Sequence, residues 1–427
     1  MLSIDKTYFY LFCGLLLSLF LSPTLFMVFD EVILALMLFL GMLDMLYNRS
    51  WKKYKVFFWG TGILTFYMFY SIFAYNYNIP KAIIKDFVIW MKPVIAFGIT
   101  YAIAPKFTRA EMKIIRILCA VLCVVGLGLY FTPLFWDFLF HEYYLGSIVL
   151  CSAVVLLITA DNDEKYVICR NLKKILLLLL AGLVCGRSKY FGSVVVILFM
   201  IYVYRPGLFS NMTLKNGMIV LGFFAGVIAV AWEKIEFYFI TGGDPTAVFD
   251  EDLMVTVARP MLYVMGFFVL WDHLLLGSGL ASYATSPSST DINYSNLYYD
   301  YGLDNVWGLS PGYDDFISDT FYPALTQFGL VGISLFIYVW IWFSQKLRLV
   351  IRKSGIVPFI AGVSIIAMLL IDSIAAPGII NSFGEVLMAI MGLVLAPVRT
   401  ISREEAKQIS QRPIELETSY WRSVRTI

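Results

Sequence analysis

The chain has 427 residues, of which 60% are hydrophobic, 17% aromatic and 15% charged, and its formal net charge at pH 7 is +2. Its mean hydropathy of +0.79 is far above that of soluble domains, which excludes a soluble enzyme and indicates a protein embedded in a lipid bilayer. The small net charge, with basic residues that membrane topology explains, gives no indication of a nucleic-acid partner.

About twelve apolar segments follow one another along the chain. They lie near residues 8–28, 31–47, 56–75, 86–104, 113–131, 143–160, 175–186, 190–204, 217–232, 321–343, 356–374 and 382–396. A backbone surrounded by lipid must satisfy its hydrogen bonds within itself, so each segment is predicted to be a transmembrane helix. The first is too long and too uniformly apolar for a cleaved signal peptide, and we interpret it as the first span. The predicted fold class is an all-α, polytopic membrane protein.

Basic residues mark every second connection, near residues 49–55, 106–116, 165–174, 205–215 and 346–353. Because Lys and Arg collect on the cytoplasmic side of a membrane, this pattern predicts that both termini are cytoplasmic. Four regions follow from it. They are N-terminal transmembrane helices (1–231), a large acidic external loop (232–320), C-terminal transmembrane helices (321–396) and a basic cytoplasmic tail (397–427).

Arg187 lies in a short external turn, residues 185–190, after an apolar run that as a helix covers only about 18 Å. An arginine held below the membrane surface is costly unless it faces protein, water or an anion, and its guanidinium suits bidentate pairing with phosphate. The alternative is a loop arginine whose side chain reaches up to the lipid headgroups.

Arg259 precedes Pro260 and an apolar stretch, residues 261–271, that is too short to span and is predicted to be an interfacial helix. Proline favours the first helical position, which places Arg259 at the helix start. The positive end of a helix together with an arginine favours an anion, whereas the alternative is a solvated surface arginine.

The later part of the loop alternates aromatic side chains with amide and carboxylate side chains, a combination that suits sugar rings. The aromatic residues are Tyr283, Tyr294, Tyr298, Tyr299, Tyr301, Trp307 and Tyr313, and the polar ones include Asn293, Asn296, Asp300 and Asn305. For any single tyrosine, a place in the packed core of the loop is an equally good interpretation.

Asp319 ends the loop at the predicted membrane surface, where it could act as a general base or simply cap a helix. His141 and His273 lie far apart in sequence, so no metal site is expected. Lys92 and Asp372 are charges within apolar segments and are weaker functional candidates.

Five features in this order resemble bacterial O-antigen polymerases (Wzy) and the related O-antigen ligases, most clearly over residues 180–345. They are Arg187 in its turn, Arg259-Pro260, Gly277-Ser278-Gly279, Ser318-Asp319 and Gly329-Leu330-Val331-Gly332.

The resemblance implies a membrane glycosyltransferase of the GT-C type in the bacterial inner membrane. It would act at the periplasmic face on oligosaccharides linked to undecaprenyl diphosphate, without a nucleotide sugar or a cofactor. A chain-length regulator of the same membrane is an expected partner.

Residues matching Arg187 and Arg259 engage the donor diphosphate in that family. We expect a substrate site that also includes His273, Tyr283, Tyr313 and Asp315. Family members often carry a histidine where this chain has Asp319, so His273, Asp314 and Asp315 are alternative bases.

Two other functions fit the sequence. An O-antigen ligase, which transfers the finished glycan to the lipid A core, would use much the same donor site. A polytopic transporter or lipid-sugar flippase would need no catalytic loop, but transporters built from two halves tend to show internal repeats, and none is evident between residues 1–210 and 211–396.

Overall fold

A computed structural model of the chain describes residues 3–24, 28–75, 77–133, 141–159, 165–204, 214–236, 258–401 and 405. Within these ranges the protein is all-helical, and the β structure is limited to an isolated bridge between Ser310 and Tyr313. The predicted all-α class is therefore confirmed. Residues 237–257 of the predicted external loop, and residues 402–404 and 406–427 of the predicted tail, lie outside the described residues.

The first part of the chain consists of apolar helices that follow one another with short connections. They are α1 (Ile4–Thr24), α2 (Phe29–Asn48), α3 (Lys55–Phe73), α4 (Pro80–Ile103), α5 (Arg109–Tyr130), α6 (Glu142–Ile158), α7 (Lys165–Ala181), α8 (Ser188–Leu198) and α9 (Leu214–Ile235). A 3-10 turn, Gly182–Cys185, extends α7, and a π-helical turn, Phe199–Val203, extends α8.

The second part begins with two helices that belong to the predicted loop, α10 (Ala258–Asp272) and the short α11 (Asn296–Asp300). A 3-10 helix, Pro323–Phe328, then leads into α12 (Gly329–Lys353). The last two helices are α13 (Ile356–Asp372) and α14 (Ser382–Leu395).

Each of the apolar segments predicted from the sequence coincides with a helix, namely α1 to α9 and α12 to α14. By length and composition, four described helical stretches could cross a membrane, and four more are apolar but shorter. The long ones are Ile4–Ser22, Trp51–Phe73, Arg109–Tyr130 and Pro323–Lys353, and the shorter ones are Glu142–Ile158, Ser188–Val203, Ile356–Asp372 and Ser382–Val398. The protein is thus a helical membrane protein, and the count of twelve crossings remains a prediction.

Helix α4 lies at the centre of the bundle and packs against α2, α3 and α14. Its approach to α14 is close at Gly392, where a Cβ atom would lie 2.7 Å from Cβ of Thr100. The two helices can therefore approach this closely only because residue 392 has no side chain.

Lys92 of α4 is buried in the bundle and pairs with carboxylates from two other helices. Its Nζ lies 2.9 Å from Asp30, 3.1 Å from Glu31 and 3.7 Å from Glu385. Removing one partner of such a buried group leaves an uncompensated charge, so this cluster ties α2, α4 and α14 together. Lys92 thus has protein partners rather than a side chain that reaches the headgroups.

The loop after α10 is a compact layer tied to the end of the bundle by hydrogen bonds to α4 and to the connection before it. The side-chain amide of Asn78 donates to the carbonyl oxygens of Ala281 (2.8 Å) and Asn293 (2.9 Å). The buried carboxylate of Asp86 accepts from the backbone N–H of Ala281 at 2.7 Å. These contacts give the loop a fixed position, as a site built on it requires.

Candidate functional site

A cavity of about 750 Å³ lies where the starts of α8 and α10 meet residues 316–319 and the connection from α13 to α14. A larger groove of about 950 Å³ runs along α3 and α12, but apart from Lys52 and Lys55 its lining side chains are apolar or aromatic. Binding sites combine a shaped cavity with a few convergent polar groups, and the smaller cavity has them.

Arg187 reaches this cavity from the N-cap position of α8. The preceding residue, Gly186, has a φ of +62°, a left-handed conformation that lets the chain reverse between α7 and α8. The Arg187 guanidinium donates to Glu142 Oε2 at 2.5 Å and to His141 Nδ1 at 2.7 Å. These contacts hold the guanidinium at the positive end of α8, where backbone N–H groups favour an anion.

Arg259 lies in the first described turn of α10, with Ala258 before it and Pro260 after it. Two helical residues precede Pro260, so it is not the first helical residue that the sequence predicted. Arg259 Nη2 donates to Asp319 Oδ2 at 2.5 Å, so two predicted site residues, 60 positions apart in sequence, form an ion pair.

Asp319 does not cap a helix, because the next helical turn starts at Pro323 with Tyr322 as its N-cap. Its backbone N–H donates to the Phe316 carbonyl at 3.2 Å, and the N–H of Phe321 donates to the Ser373 carbonyl at 3.2 Å. These bonds fix the segment between the loop and the end of α13. The carboxylate therefore projects into the cavity from a held backbone.

Lys189 is a third cation of the cavity, and it was missing from the predicted site. Its Nζ lies 3.0 Å from Asp372 Oδ1 and 3.6 Å from the centre of the Tyr143 ring. The Tyr143 hydroxyl donates to Asp372 Oδ2 at 3.2 Å and accepts from Asn381 Nδ2 at 2.5 Å. The ammonium group is thereby held by a network from α6, α8, α13 and the start of α14. The sequence could have indicated Lys189 as a site residue, since it belongs to the same turn as Arg187.

Three cation–carboxylate pairs thus surround the cavity: Arg187 with Glu142, Lys189 with Asp372, and Arg259 with Asp319. All three cations line it, whereas Glu142 and Asp372 do not. Among the described residues, Asp319 is the only carboxylate in the lining. A ligand in the cavity therefore contacts three basic side chains and one carboxylate, and basic side chains give the charge-assisted hydrogen bonds that an anion accepts.

Tyr263 also lines the cavity, and its hydroxyl donates to the Ile374 carbonyl at 2.7 Å. Burial raises the pKa of this hydroxyl above its ordinary value, and the nearby Arg259 lowers it by less. The phenol thus stays protonated at neutral pH, which excludes Tyr263 as a general base.

The structure does not bring His273 or Tyr283 to the cavity. His273 follows the far end of α10, about 20 Å along the helix from Arg259, with Tyr77 Oη 2.8 Å from its Nε2. Tyr283 is fully buried, and its hydroxyl donates to the Leu262 carbonyl at 2.8 Å. The structure therefore places Tyr283 in the core of the loop and away from the cavity.

Tyr313 and Asp315 lie on the loop surface beside the cavity and do not line it. The Tyr313 ring is 6.0 Å from that of Phe316, which does line the cavity. The neighbouring Asp314 accepts hydrogen bonds from the backbone N–H (2.6 Å) and the hydroxyl (3.0 Å) of Thr290, so it holds the loop together.

Within the described ranges, no group of three or more His, Cys, Asp or Glu side chains is arranged to hold a metal ion. Comparison of the sequence with models of protein families and with curated proteins finds no match.

Proposed function

We propose that this protein is a polymerase of O-antigen or a related surface polysaccharide. It joins oligosaccharide repeat units carried on undecaprenyl diphosphate at the periplasmic face of a bacterial inner membrane, with a GT-C-type fold and twelve spans. The observation that carries the proposal is the convergence of Arg187, Lys189 and Arg259 on one cavity that Asp319 also lines.

A diphosphate is the anion that best fits this cavity. Guanidinium groups can give parallel hydrogen bonds to phosphate oxygens, and ammonium groups add a compact point charge. The Arg187 contacts to Glu142 and His141 both use Nη2, and a guanidinium carries five N–H donors, so Arg187 can also donate to a ligand. If the predicted topology holds, the cavity lies at the outer end of the spans, where a lipid-linked diphosphate would be located.

The reaction would proceed by attack of an acceptor sugar hydroxyl on the anomeric carbon of the growing chain. The new glycosidic bond forms as the bond from that carbon to the diphosphate oxygen breaks, and the electron pair leaves with undecaprenyl diphosphate. The three cations stabilise the charge that develops on the leaving group, which is the largest contribution such a site can make.

Asp319 would accept the proton of the attacking hydroxyl, because it is the carboxylate that faces the cavity. The other bases considered from the sequence are less suitable. His273 and Asp314 have structural hydrogen bonds elsewhere, and Asp315 lies outside the lining. When the diphosphate binds Arg259, the ion pair with Asp319 opens and the carboxylate becomes available.

The test is a gel of surface polysaccharide from a deletion strain complemented with wild type, Arg259→Ala or Arg348→Ala. Arg348 is exposed on α12 and does not line the cavity, so it is the matched control. We expect the wild type and the control to restore a ladder. Arg259→Ala should lose roughly 100- to 1000-fold in rate and leave a single repeat unit on the core.

Long-chain polysaccharide in the Arg259→Ala strain, at normal protein level, would contradict the proposal. The deletion strain itself separates the alternatives. Loss of a polymerase leaves one repeat unit on the lipid A core, loss of a ligase leaves none, and an unchanged ladder in every strain would favour the transporter.

A further inference from the structure

Three aromatic side chains pack against one another beside the cavity, and the rings of two of them, Tyr313 and Phe316, lie at 69° to each other. We call Trp307, Tyr313 and Phe316 the aromatic platform. The Trp307 ring lies 4.8 Å from that of Tyr313 and 5.4 Å from that of Phe316, with an angle of 37° between the planes in both pairs. Trp307 is 61% exposed and Tyr313 39% exposed, unlike the buried Tyr283 and Tyr298 of the same loop.

The backbone holds this platform in place. The N–H of Phe316 donates to the Gly308 carbonyl at 3.1 Å, and the N–H of Tyr313 donates to the Ser310 carbonyl at 2.9 Å. Gly308 has a φ of +85°, and a Cβ atom there would lie 2.5 Å from the Phe316 ring. The glycine lets the ring lie directly on the backbone, so the surface is formed before any ligand arrives, which lowers the entropic cost of binding.

The platform adjoins the cations of the cavity. Phe316 belongs to the cavity lining, and Arg259 Cζ lies 5.9 Å from the centre of its ring. Trp307 and Tyr313 continue outward from Phe316. A molecule whose charged end contacts Arg259 would therefore lay its next part across these rings.

We propose that the aromatic platform binds the pyranose rings of the glycan chain next to the reacting sugar. The proposal rests on the polymerase function. The face of a pyranose carries C–H groups with partial positive charge, which pack on the electron-rich face of an aromatic ring. Neighbouring carboxylates can accept hydrogen bonds from sugar hydroxyls, and the exposed Asp315 immediately precedes Phe316 of the platform in sequence.

The same carboxylates disfavour a membrane as the occupant. Trp and Tyr often anchor a protein at the level of the lipid headgroups. Here, however, Asp304, Asp314 and Asp315 lie close to these aromatic residues in sequence. Anionic lipid headgroups repel such carboxylates. A sugar chain therefore matches both the flat rings and the charge of this surface better than a bilayer does.

The matched control for Trp307 is Trp271, which is 77% exposed and lies on α10 about 18 Å along the helix from Arg259. Trp307→Ala, Tyr313→Ala and Trp271→Ala would each replace the wild type in the deletion strain. We expect the first two variants to polymerise but to give a shorter modal chain length, and Trp271→Ala to match the wild type.

A binding experiment on the purified, detergent-solubilised protein completes the test. The probe is the strain's own polysaccharide, freed of lipid by mild acid, with affinity measured by calorimetry. Trp307→Ala and Tyr313→Ala should each weaken binding about fivefold, and Trp271→Ala should not.

Unchanged chain length and affinity in both platform variants would overturn the proposal. So would a lower yield of these variants in the membrane fraction with unchanged affinity, since that result indicates a bilayer anchor. An Arg259→Ala strain run in parallel distinguishes failure of the polymerase function from failure of the platform proposal. If its ladder persists, the polymerase function fails, and if its ladder collapses while the platform variants match Trp271→Ala, only the platform proposal fails.

Discussion

At the scale of single residues, the site is organised by which member of each ion pair faces the cavity. Arg187 and Lys189 line it, whereas their partners Glu142 and Asp372 do not. Asp319 is the exception, since it faces the cavity together with Arg259. The three basic side chains suit a diphosphate and the carboxylate suits a proton, which is the division of roles expected from the sequence for Arg187, Arg259 and Asp319.

Asp319→Asn tests the proton-accepting role. The amide keeps the size of the side chain and one oxygen that Arg259 can bond, so the cavity should keep its shape. Affinity for the lipid-linked donor should not fall, because the variant removes a negative charge that competes with the diphosphate for Arg259. Because the amide cannot take up the proton, we expect the polymerisation rate to fall by roughly 100- to 10,000-fold. Purified enzyme assayed with lipid-linked repeat units would measure both quantities. A variant with near-normal rate would exclude Asp319 as the base.

Lys189→Met tests the third cation. The change removes the charge that faces the diphosphate, and it also leaves Asp372, whose side chain is only 7% exposed, without its ionic partner. We expect roughly 100-fold slower polymerisation together with lower thermal stability.

A second variant separates these two effects. Lys189→Met combined with Asp372→Asn removes both charges, so it should regain stability and remain slow. Lys189→Arg should regain much of the rate. Recovery of the rate in the double variant would show that Lys189 matters only for folding.

At the scale of elements, two glycine motifs that contributed to the family resemblance have a structural role. A Cβ atom at Gly277, whose φ is +78°, would lie 2.4 Å from the backbone of Gln327 and Gly329. The N–H of Gly279 donates to the Gln327 carbonyl at 3.0 Å, and the N–H of Leu330 donates to the Leu274 carbonyl at 2.8 Å. The backbone of the loop thus lies directly against the backbone at the start of α12. This contact orients α10 and Arg259 relative to the bundle.

Gly277→Ala should therefore destabilise the protein by about 2 kcal/mol or more, through both the close contact and the left-handed conformation. The matched control is Gly62→Ala in α3, where an added Cβ atom meets no other atom within 4 Å. Thermal melting of the solubilised proteins would measure the difference. Equal melting temperatures for the two variants would show that the backbone contact at Gly277 does not contribute to stability.

At the scale of the whole molecule, the predicted topology puts the loop and the cavity on one side of the membrane and the basic connections on the other. In a cysteine-free background, Asp315→Cys should react with a membrane-impermeant maleimide in cells whose outer membrane is permeable. Lys52→Cys should react only after the inner membrane is opened. Labelling of Lys52→Cys from outside would invert the predicted topology and exclude a periplasmic site.

The sequence by itself determined the class of the protein and the positions of its helices. Apolar segments in lipid have one way to satisfy their backbone, so hydropathy alone located α1 to α9 and α12 to α14. The sequence also indicated Arg187, Arg259 and Asp319 as candidate site residues, because a charged residue beside an apolar segment has an energetic cost that a function can explain.

Only the tertiary structure decided which polar residues belong to one site. Lys189 joins the arginines because α6, α8, α13 and α14 meet there, whereas Tyr283 faces the core of the loop and His273 lies at the wrong end of α10. The physical reason is that hydropathy and local spacing report on a residue's immediate surroundings. The convergence of side chains distant in sequence depends instead on how helices pack against one another, which no local pattern records.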